Sequence, residues 1–168
     1  MTVYVLMGVS GTGKSTVGRA AANALGLTFI DADDLHSPLA IAKMTSGVAL
    51  TSEDRMPWGE AIIQALQSQR ELNPGADILI ACSALEMKFR KTLRAGMNGD
   101  MEFLHLHGDM AILKRRLAAR KNHFFKSDML AGQFAALDMP HRAAALDIAL
   151  PLHRQVEIIA GVIAGAQR

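Results

Sequence analysis

The sequence predicts a three-layer α/β fold, with about five parallel strands between helices on both faces. Two observations lead to this class. Short apolar runs rich in β-forming residues recur along the chain, and glycine or polar residues stop them. Apolar residues at helical spacing fill most of the segments between these runs, as in repeated βαβ units. A chain of 168 residues, half of them apolar, suffices for one core, so we expect a single domain over residues 1–168.

The N-terminal segment carries the first predicted βαβ unit. Val3–Met7 is a fully apolar run that ends at Gly8, as expected of a buried strand in a parallel sheet. Helical spacing of apolar residues over Lys14–Leu25 predicts a helix, and Gly26 directly after it is a typical C-terminal stop. Thr28–Asp31 then completes the unit as a second short strand.

The rest of the chain continues the alternation of strands and helices. Further strands are predicted at 78–82, 101–106 and, with a weaker pattern, 146–150. Predicted helices cover 58–72, 87–93, 110–119 and 153–164. Because no linker or internal repeat divides these elements, we expect their strands to join one sheet.

Composition and charge exclude several classes of protein. The net charge is only +2 and no run of basic residues occurs, which argues against a nucleic-acid surface. Cys82 is the only cysteine, so an internal disulfide is excluded, and its apolar neighbours predict a buried, inert thiol. No window reaches the roughly 20 apolar residues of a membrane span, and a reducing cytoplasm is the expected location.

Residues 8–15 match the phosphate-binding pattern G-x-x-x-x-G-K-[ST] in full, between a predicted strand and a predicted helix. Glycines let the backbone wrap closely around phosphates, and the dipole of the following helix favours their charge. Lys14 is predicted to bridge the β- and γ-phosphates of a nucleoside triphosphate, and the Ser15 hydroxyl to ligate Mg²⁺. The predicted nucleotide-binding residues of this loop are Gly8, Val9, Ser10, Gly11, Thr12, Gly13, Lys14, Ser15 and Thr16.

Acidic residues follow the second predicted strand, where an open parallel sheet places its ligands. We expect Asp31 to hold Mg²⁺ through water, and Asp33 to orient an attacking hydroxyl or accept its proton. Alternatively, Asp33 and Asp34 cap the next helix. The chain lacks the N-K-x-D element that reads the base in GTP-binding switches, which argues against a GTPase.

Further motifs resemble those of the gluconate kinases, small members of the nucleoside-monophosphate-kinase-like group. They are DADDLH at 31–36, IAKM at 41–44, LTSEDR at 50–55, PW at 57–58, ACSAL at 81–85, FR at 89–90, LHG at 106–108, LAARK at 117–121, HF at 123–124 and QF at 133–134. The resemblance implies phosphorylation of D-gluconate to 6-phosphogluconate, with ATP and Mg²⁺. It also implies the strand order 2-3-1-4-5, a lid over residues 116–133 and a homodimer.

Arg55 is the candidate for binding the carboxylate of such a substrate. It ends the LTSEDR motif, and a guanidinium pairs with a carboxylate as a planar fork. The alternative is a surface ion pair with Glu53 or Asp54, which lie next to it in the sequence. Trp58, shortly afterwards, is expected to pack the start of a helix rather than to contact a ligand.

Four other residues complete the predicted acceptor site. His36 and Lys43 are candidates for hydrogen bonds to sugar hydroxyls, with simple solvent exposure as the alternative for each. Ser83 follows the third predicted strand and therefore lies at the edge of the sheet where substrates bind. Arg90 either joins the carboxylate site or lies on the surface of a helix.

The lid is expected to supply cations that close over the phosphoryl group and exclude water. The resemblance assigns this role to Arg116 and Arg120, which count as nucleotide-binding residues for that reason. The residues predicted to carry the chemistry are Lys14, Asp33 and Arg120.

Several positions depart from the pattern of the gluconate kinases. Ala32 replaces a glycine, Ala40 an asparagine, Glu86 a lysine and Lys91 an aspartate. These changes leave the phosphate machinery intact but leave the acid open, so a kinase for another aldonate or a shikimate-like acid is the alternative. A nucleotide-binding regulator without phosphoryl transfer is a further alternative.

Overall fold

The computed structural model describes residues 1–119, 129–141 and 143–166, and a parallel β-sheet lies at its centre. Within these ranges the sheet has five strands in the order β2-β3-β1-β4-β5. The strands are β1 Val3–Met7, β2 Thr28–Asp31, β3 Ile78–Ala81, β4 Met101–His107 and β5 Ala144–Asp147. All neighbouring strands pair in parallel. The predicted fold class and strand order are therefore confirmed.

Helices connect these strands, with a short 3₁₀ turn, Ala32–Leu35, after β2. The helices of the described ranges are α1 Lys14–Leu25, α2 Pro38–Thr45, α3 Ser52–Leu72, α4 Met87–Gly96, α5 Met110–Ala118, α6 Leu130–Ala135 and α7 Leu152–Ala166. Among them, none combines the length and the apolar character that crossing a membrane requires.

The central strand β1 divides the apolar core into two halves. Tyr4 and Leu6 face one side of the sheet, where α1, α5, α6 and α7 pack. Val3, Val5 and Met7 face the other side, which α3 and α4 cover. Successive side chains of a strand point to opposite faces, so a strand covered on both faces must be apolar throughout. This burial explains the unbroken apolar run that predicted β1.

The last strand lies earlier in the chain than predicted, at Ala144–Asp147 rather than at 146–150. The Asp147 carboxylate accepts a hydrogen bond from the backbone N–H of Ala149 at 2.8 Å, which turns the chain out of the strand. Leu146 and Ile148 are both buried, so the apolar pattern continues past the point where strand pairing ends. The buried apolar segment therefore extends beyond the last residue that pairs in the sheet.

Helices α2, α3 and α6 differ most from the prediction, and α6, Leu130–Ala135, was not predicted as a helix at all. Helix α3 begins at Ser52, before the predicted start at 58, because Thr51 and Asp54 form a reciprocal capping box. Helix α2 was not predicted, and the Ser37 hydroxyl caps it by accepting a hydrogen bond from the Ala40 N–H at 3.2 Å. The cap of α2 is therefore a serine and not one of the aspartates that precede it.

Candidate active site

The phosphate-binding loop runs from the end of β1 into the first turn of α1. Gly8 has φ 145° and a Cβ there would lie 2.4 Å from the Leu106 carbonyl oxygen, so only glycine fits. The Lys14 ammonium donates to the carbonyl oxygens of Gly8 at 2.9 Å and Val9 at 3.1 Å. The Lys14 ammonium therefore lies against the backbone of the loop, where its charge favours a bound anion.

The residues around this loop fit a polyphosphate and a hard metal ion. Gly13 is the N-cap of α1, and Lys14 and Ser15 are the first residues of the helix, directly after the loop. The Ser15 hydroxyl and the Asp31 carboxylate are hard oxygen donors of the kind that Mg²⁺ takes beside phosphate oxygens.

Arg116 lies close to the phosphate-binding loop. Its Nη1 would be 3.9 Å from a Cβ on Gly13, and its Nη2 donates to the Ile148 carbonyl oxygen at 3.0 Å. This cation comes from the last turn of α5. Arg120, the other predicted lid cation, and residues 121–128 of the predicted lid lie outside the described residues.

The aspartates after β2 have different surroundings. Asp31 Oδ1 accepts a hydrogen bond from the Asp33 N–H at 3.3 Å and caps the 3₁₀ turn, while its Oδ2 lies 3.7 Å from Arg19 Nη2. Asp33 lines a large cavity together with Lys14. Asp34 is exposed. Only one of these carboxylates therefore faces the cavity beside the phosphate loop in the described ranges.

The charged residues meet around the end of β3. Burial raises the pKa of the Cys82 thiol to about 12, a backbone hydrogen bond from Ala84 opposes the rise, and the charges of Asp33, Lys14 and Asp31 also act on it. The thiol is buried, as predicted. Lys14 follows β1, Asp31 ends β2 and Cys82 follows β3, and these strands are parallel neighbours, so the lysine and both carboxylates lie at one edge of the sheet.

A cavity of about 690 Å³ opens from this edge. Its polar and charged lining residues come from the phosphate loop, the 3₁₀ turn and the residue after it, the segment between α2 and α3, α3 itself, the loop after β3, and α6. They are Ser10, Lys14, Asp33, His36, Ser46, Thr51, Ser52, Arg55, Ser83, Glu86 and Gln133. The Ser83 carbonyl oxygen also accepts a hydrogen bond from the Gly8 N–H at 3.2 Å, which joins the loop after β3 to the phosphate loop. A small hydroxylated molecule can therefore contact the phosphate loop from this cavity.

Stacked rings form one wall of the cavity. Trp58 lies between His36 and Phe89, with ring centroids 4.3 Å and 5.1 Å away, and its Nε1 donates to the Ala32 carbonyl oxygen at 2.7 Å. Burial lowers the pKa of His36, Asp33 opposes this shift, and Arg55 adds to it. A neutral imidazole can both donate to and accept from hydroxyl groups.

Arg55 lines the cavity, and its partner is neither of the neighbours considered from the sequence. Its Nη1 forms an ion pair with Glu86 Oε1. Asp54 instead pairs with Lys43 at 2.5 Å, and that hydrogen bond, followed by those from Thr51, lowers the pKa of Asp54 to about 2. Lys43 lines a second cavity of about 430 Å³ between α2 and α3.

Arg90 is buried, and its guanidinium holds a loop together. It donates to the carbonyl oxygens of Ala84 at 2.8 Å, Leu85 at 2.6 Å and Asp138 at 2.9 Å. Ala84 has φ 43°, a conformation that is strained for a residue with a side chain. Among the described residues that line the 690 Å³ cavity, Arg90 is not found. Its contacts suit a residue that shapes the loop carrying Ser83.

Two cavity residues that had no predicted role, Gln133 and Glu86, make contacts that bear on the site. Gln133 Oε1 accepts a hydrogen bond of 2.6 Å from the Ser10 N–H in the phosphate loop. The QF motif marked this position but not its contact. Glu86 was noted only as a departure from a family pattern, and its pairing with Arg55 depends on the fold.

The fold and the site define the class of this protein, which is that of the P-loop kinases of small molecules. The family model described as shikimate kinase matches residues 10–142. The thermoresistant gluconokinase of Escherichia coli K12 is 45% identical over 138 residues, which cover 82% of this chain and 77% of that protein.

Two solved structures extend the likeness over nearly the whole chain. A gluconokinase from Sinorhizobium meliloti 1021 is 36% identical with a TM-score of 0.80, covering 99% of this chain and 98% of that one. An unliganded sugar kinase from Janibacter sp. HTCC2649 is 35% identical with a TM-score of 0.83, covering 95% and 92%. The chain belongs to the gluconokinase family, within the wider group that the shikimate kinase model describes.

Proposed function

We propose that this protein transfers the γ-phosphoryl group of ATP to the terminal hydroxyl of D-gluconate and forms 6-phospho-D-gluconate. The observation that carries the proposal is that one cavity is lined by Lys14 and Asp33 and also by Arg55. A linear hydroxy acid can place its terminal hydroxyl beside Lys14 and Asp33 while its carboxylate contacts Arg55. The names of the relatives, gluconokinases from several organisms, support the same substrate.

The proposed transfer needs positioning and charge stabilisation rather than covalent catalysis. The bond between the γ-phosphorus and the oxygen bridging to the β-phosphate breaks, and a new P–O bond forms to the acceptor oxygen. The acceptor proton passes to Asp33, while Lys14 and the loop N–H groups stabilise charge on the phosphate oxygens. Arg116, beside Gly13, adds a further cation, and Arg120 is proposed to join it when the lid closes.

Mg²⁺ is proposed to bind beside the phosphates, held by the Ser15 hydroxyl directly and by Asp31 through water. When bound, it would neutralise charge on the phosphate oxygens. The Asp31 carboxylate already caps the 3₁₀ turn and lies near Arg19, which limits it to an outer role.

On the acceptor side, Arg55 is proposed to bind the carboxylate, with His36 and Ser83 bonding to hydroxyls of the chain. Lys43 and Arg90 are assigned positioning roles instead of direct contact. The Lys43–Asp54 pair ties α2 to the start of α3, and Arg90 shapes the loop that carries Ser83.

A panel of sugar acids tests the proposal. Purified protein is incubated with Mg·ATP and each acid in turn, and acceptor-dependent ADP release is measured beside the mass of the product. Gluconate is expected to give the highest kcat/KM, and Lys14→Met to remove the activity. Turnover of another aldonate or of shikimate, but not of gluconate, would reject the substrate. Absence of turnover with every acid, together with tight nucleotide retention, would favour a regulator.

The homodimer implied by the family resemblance stays a prediction. Light scattering of the purified protein measures its mass directly, and a monomer mass at working concentration would contradict it.

A further inference from the structure

Glu86 carries a carboxylate that faces the acceptor cavity. Its Oε1 pairs with Arg55 Nη1, and its Oε2 lies 3.5 Å from the Ser52 hydroxyl. Both side chains of the pair are partly exposed, at 26% for the arginine and 29% for the glutamate, and both line the cavity. The residue proposed to bind the substrate's carboxylate therefore already holds a carboxylate of the protein.

The Glu86 side chain does not cap α4, the helix that Glu86 precedes. Glu86 is the N-cap residue of α4, yet its side chain makes no capping hydrogen bond. Asp138 takes that role, because its Oδ2 accepts a hydrogen bond from the Met87 N–H at 2.7 Å. The helix start is thus satisfied by a different residue, and the Glu86 carboxylate is directed to the arginine instead.

The charges that line the cavity balance within the described ranges. They are two cations, Lys14 and Arg55, and two anions, Asp33 and Glu86. Lys14 is engaged with the phosphate loop, so an entering acid depends on Arg55 for its counter-charge. A guanidinium has five N–H donors and can contact two carboxylates, but two anions held on one cation repel each other.

We infer that Glu86 is a specificity-determining residue, which shares Arg55 with the acceptor's carboxylate and restricts the site to acids carrying a single negative charge. The inference rests on the proposed function, since it assumes that an acid binds at Arg55. Glu86 weakens the binding of every acid, because each must accept a neighbouring anion. It weakens a diacid more, since the second carboxylate adds charge to a site that has no spare cation among the described lining residues.

Glu86→Gln tests the inference because glutamine keeps the size and the hydrogen-bonding oxygen while removing the charge. The KM for D-gluconate is expected to fall by about threefold to tenfold, the effect of one like charge a few ångströms away in a largely hydrated site. The inhibition constant of D-glucarate, the matching diacid, is expected to fall further. The inhibition constant of D-glucitol, the matching neutral polyol, and the KM for ATP should stay unchanged.

Glu60→Gln is the matched control, since Glu60 is an exposed residue of α3 that does not line the cavity and loses the same charge. It should leave all four constants unchanged. An unchanged gluconate KM in Glu86→Gln would overturn the inference. A raised KM would overturn it as well, because Glu86 would then hold Arg55 in place for the substrate. Glu86→Met provides the same comparison if the glutamine variant folds poorly.

Failure of the proposed function gives a different result. In that case the wild-type protein shows no gluconate-dependent ADP release. If no acid of the panel is turned over, the inference fails together with the proposed function; otherwise another acid of the panel is the substrate. The KM of that acid in wild type, Glu86→Gln and Glu60→Gln then decides the role of Glu86 by the same criterion.

Discussion

The side-chain oxygen of Gln133 accepts a hydrogen bond of 2.6 Å from the backbone N–H of Ser10, a residue 123 positions earlier in the chain. The contact joins α6 to the phosphate loop at the side facing the acceptor cavity, which both residues line. A backbone N–H can only donate, so the oxygen of the amide must face it. A phosphate oxygen is an acceptor for the same donor. If nucleotide phosphates bind this loop as proposed, Gln133 and a bound phosphate would compete for the Ser10 N–H.

Substitution of Gln133 should separate this competition from simple packing. A carboxylate at this position would hold the N–H more firmly as a charged acceptor and repel phosphate, so Gln133→Glu should weaken binding of a non-hydrolysable ATP analogue by about tenfold or more. Gln133→Ala releases the donor and should bind the analogue as tightly as wild type or up to about threefold more tightly. Isothermal titration without acceptor measures both. Gln64→Glu, an exposed change on α3, is the control. Clearly weaker binding by the alanine variant would contradict the competition.

Asp33 and Asp34 offer a matched test of the proposed catalytic role of Asp33, since they are adjacent in one 3₁₀ turn and only Asp33 lines the cavity. Asp33→Asn should lower kcat by about 10²- to 10⁴-fold, because the acceptor proton loses its base, with little change in the KM for ATP. Asp34→Asn should stay within about twofold of wild type, as usual for an exposed site. Steady-state kinetics with saturating acceptor measure both. Equal losses in the two variants would show that the substitutions disturb the 3₁₀ turn, and Asp33 would then have no distinct role in the chemistry.

The parts of this protein that were predictable from the sequence are those whose cause is local. The phosphate loop is a contiguous run, and the βαβ unit around it follows from apolar spacing within about 30 residues. The strand order came from a family resemblance, since apolar patterns alone do not say which strands are neighbours. Helix α2 was missed although Ser37 and Pro38 form a typical helix start, because no long apolar pattern supports so short a helix.

Side-chain pairing across the fold was not predictable. Sequence neighbours suggested Glu53 or Asp54 as partners of Arg55, but the partner is Glu86, which lies 31 positions away. Such pairings depend on how α3 and α4 pack against the same face of the sheet, which no local pattern contains. Positions that a motif marks are thus more predictable than the contacts they make.

Arg90 is expected to act mainly on stability. Its guanidinium joins Ala84 and Leu85 to Asp138, so Arg90→Met leaves two buried carbonyl groups and one partly buried one without this donor. The free energy of unfolding should fall by about 2–4 kcal/mol, measured by urea denaturation. Lys88→Met, an exposed change on the same helix, should cost less than about 0.5 kcal/mol. A stable Arg90→Met protein with a greatly raised gluconate KM would instead support the carboxylate-binding role predicted from the sequence.

The stacked His36 should make the protein less stable in mild acid. Burial is the main cause that lowers the pKa of His36 below its ordinary value of 6.5, and the nearby Arg55 acts in the same direction. The folded state therefore binds a proton less readily than the unfolded state, so stability is complete above pH 6.5 and is lost as the pH falls through the lower folded-state pKa. The pKa of His105 is lowered too, first by burial and then by His107 and Arg90, which adds to the same slope.

His36→Asn should remove part of that slope, up to about 1.4 kcal/mol per pH unit, the value for one proton. Urea denaturation of the variant and the wild type at several pH values below 6.5 measures the difference. NMR titration of the imidazole signals gives the pKa itself. The expectation depends on the ring staying stacked on Trp58, at the observed centroid distance of 4.3 Å, which keeps it partly buried. A His36 pKa at or above 6.5 in the folded protein would show that water reaches the ring, and the acid sensitivity would then need another source.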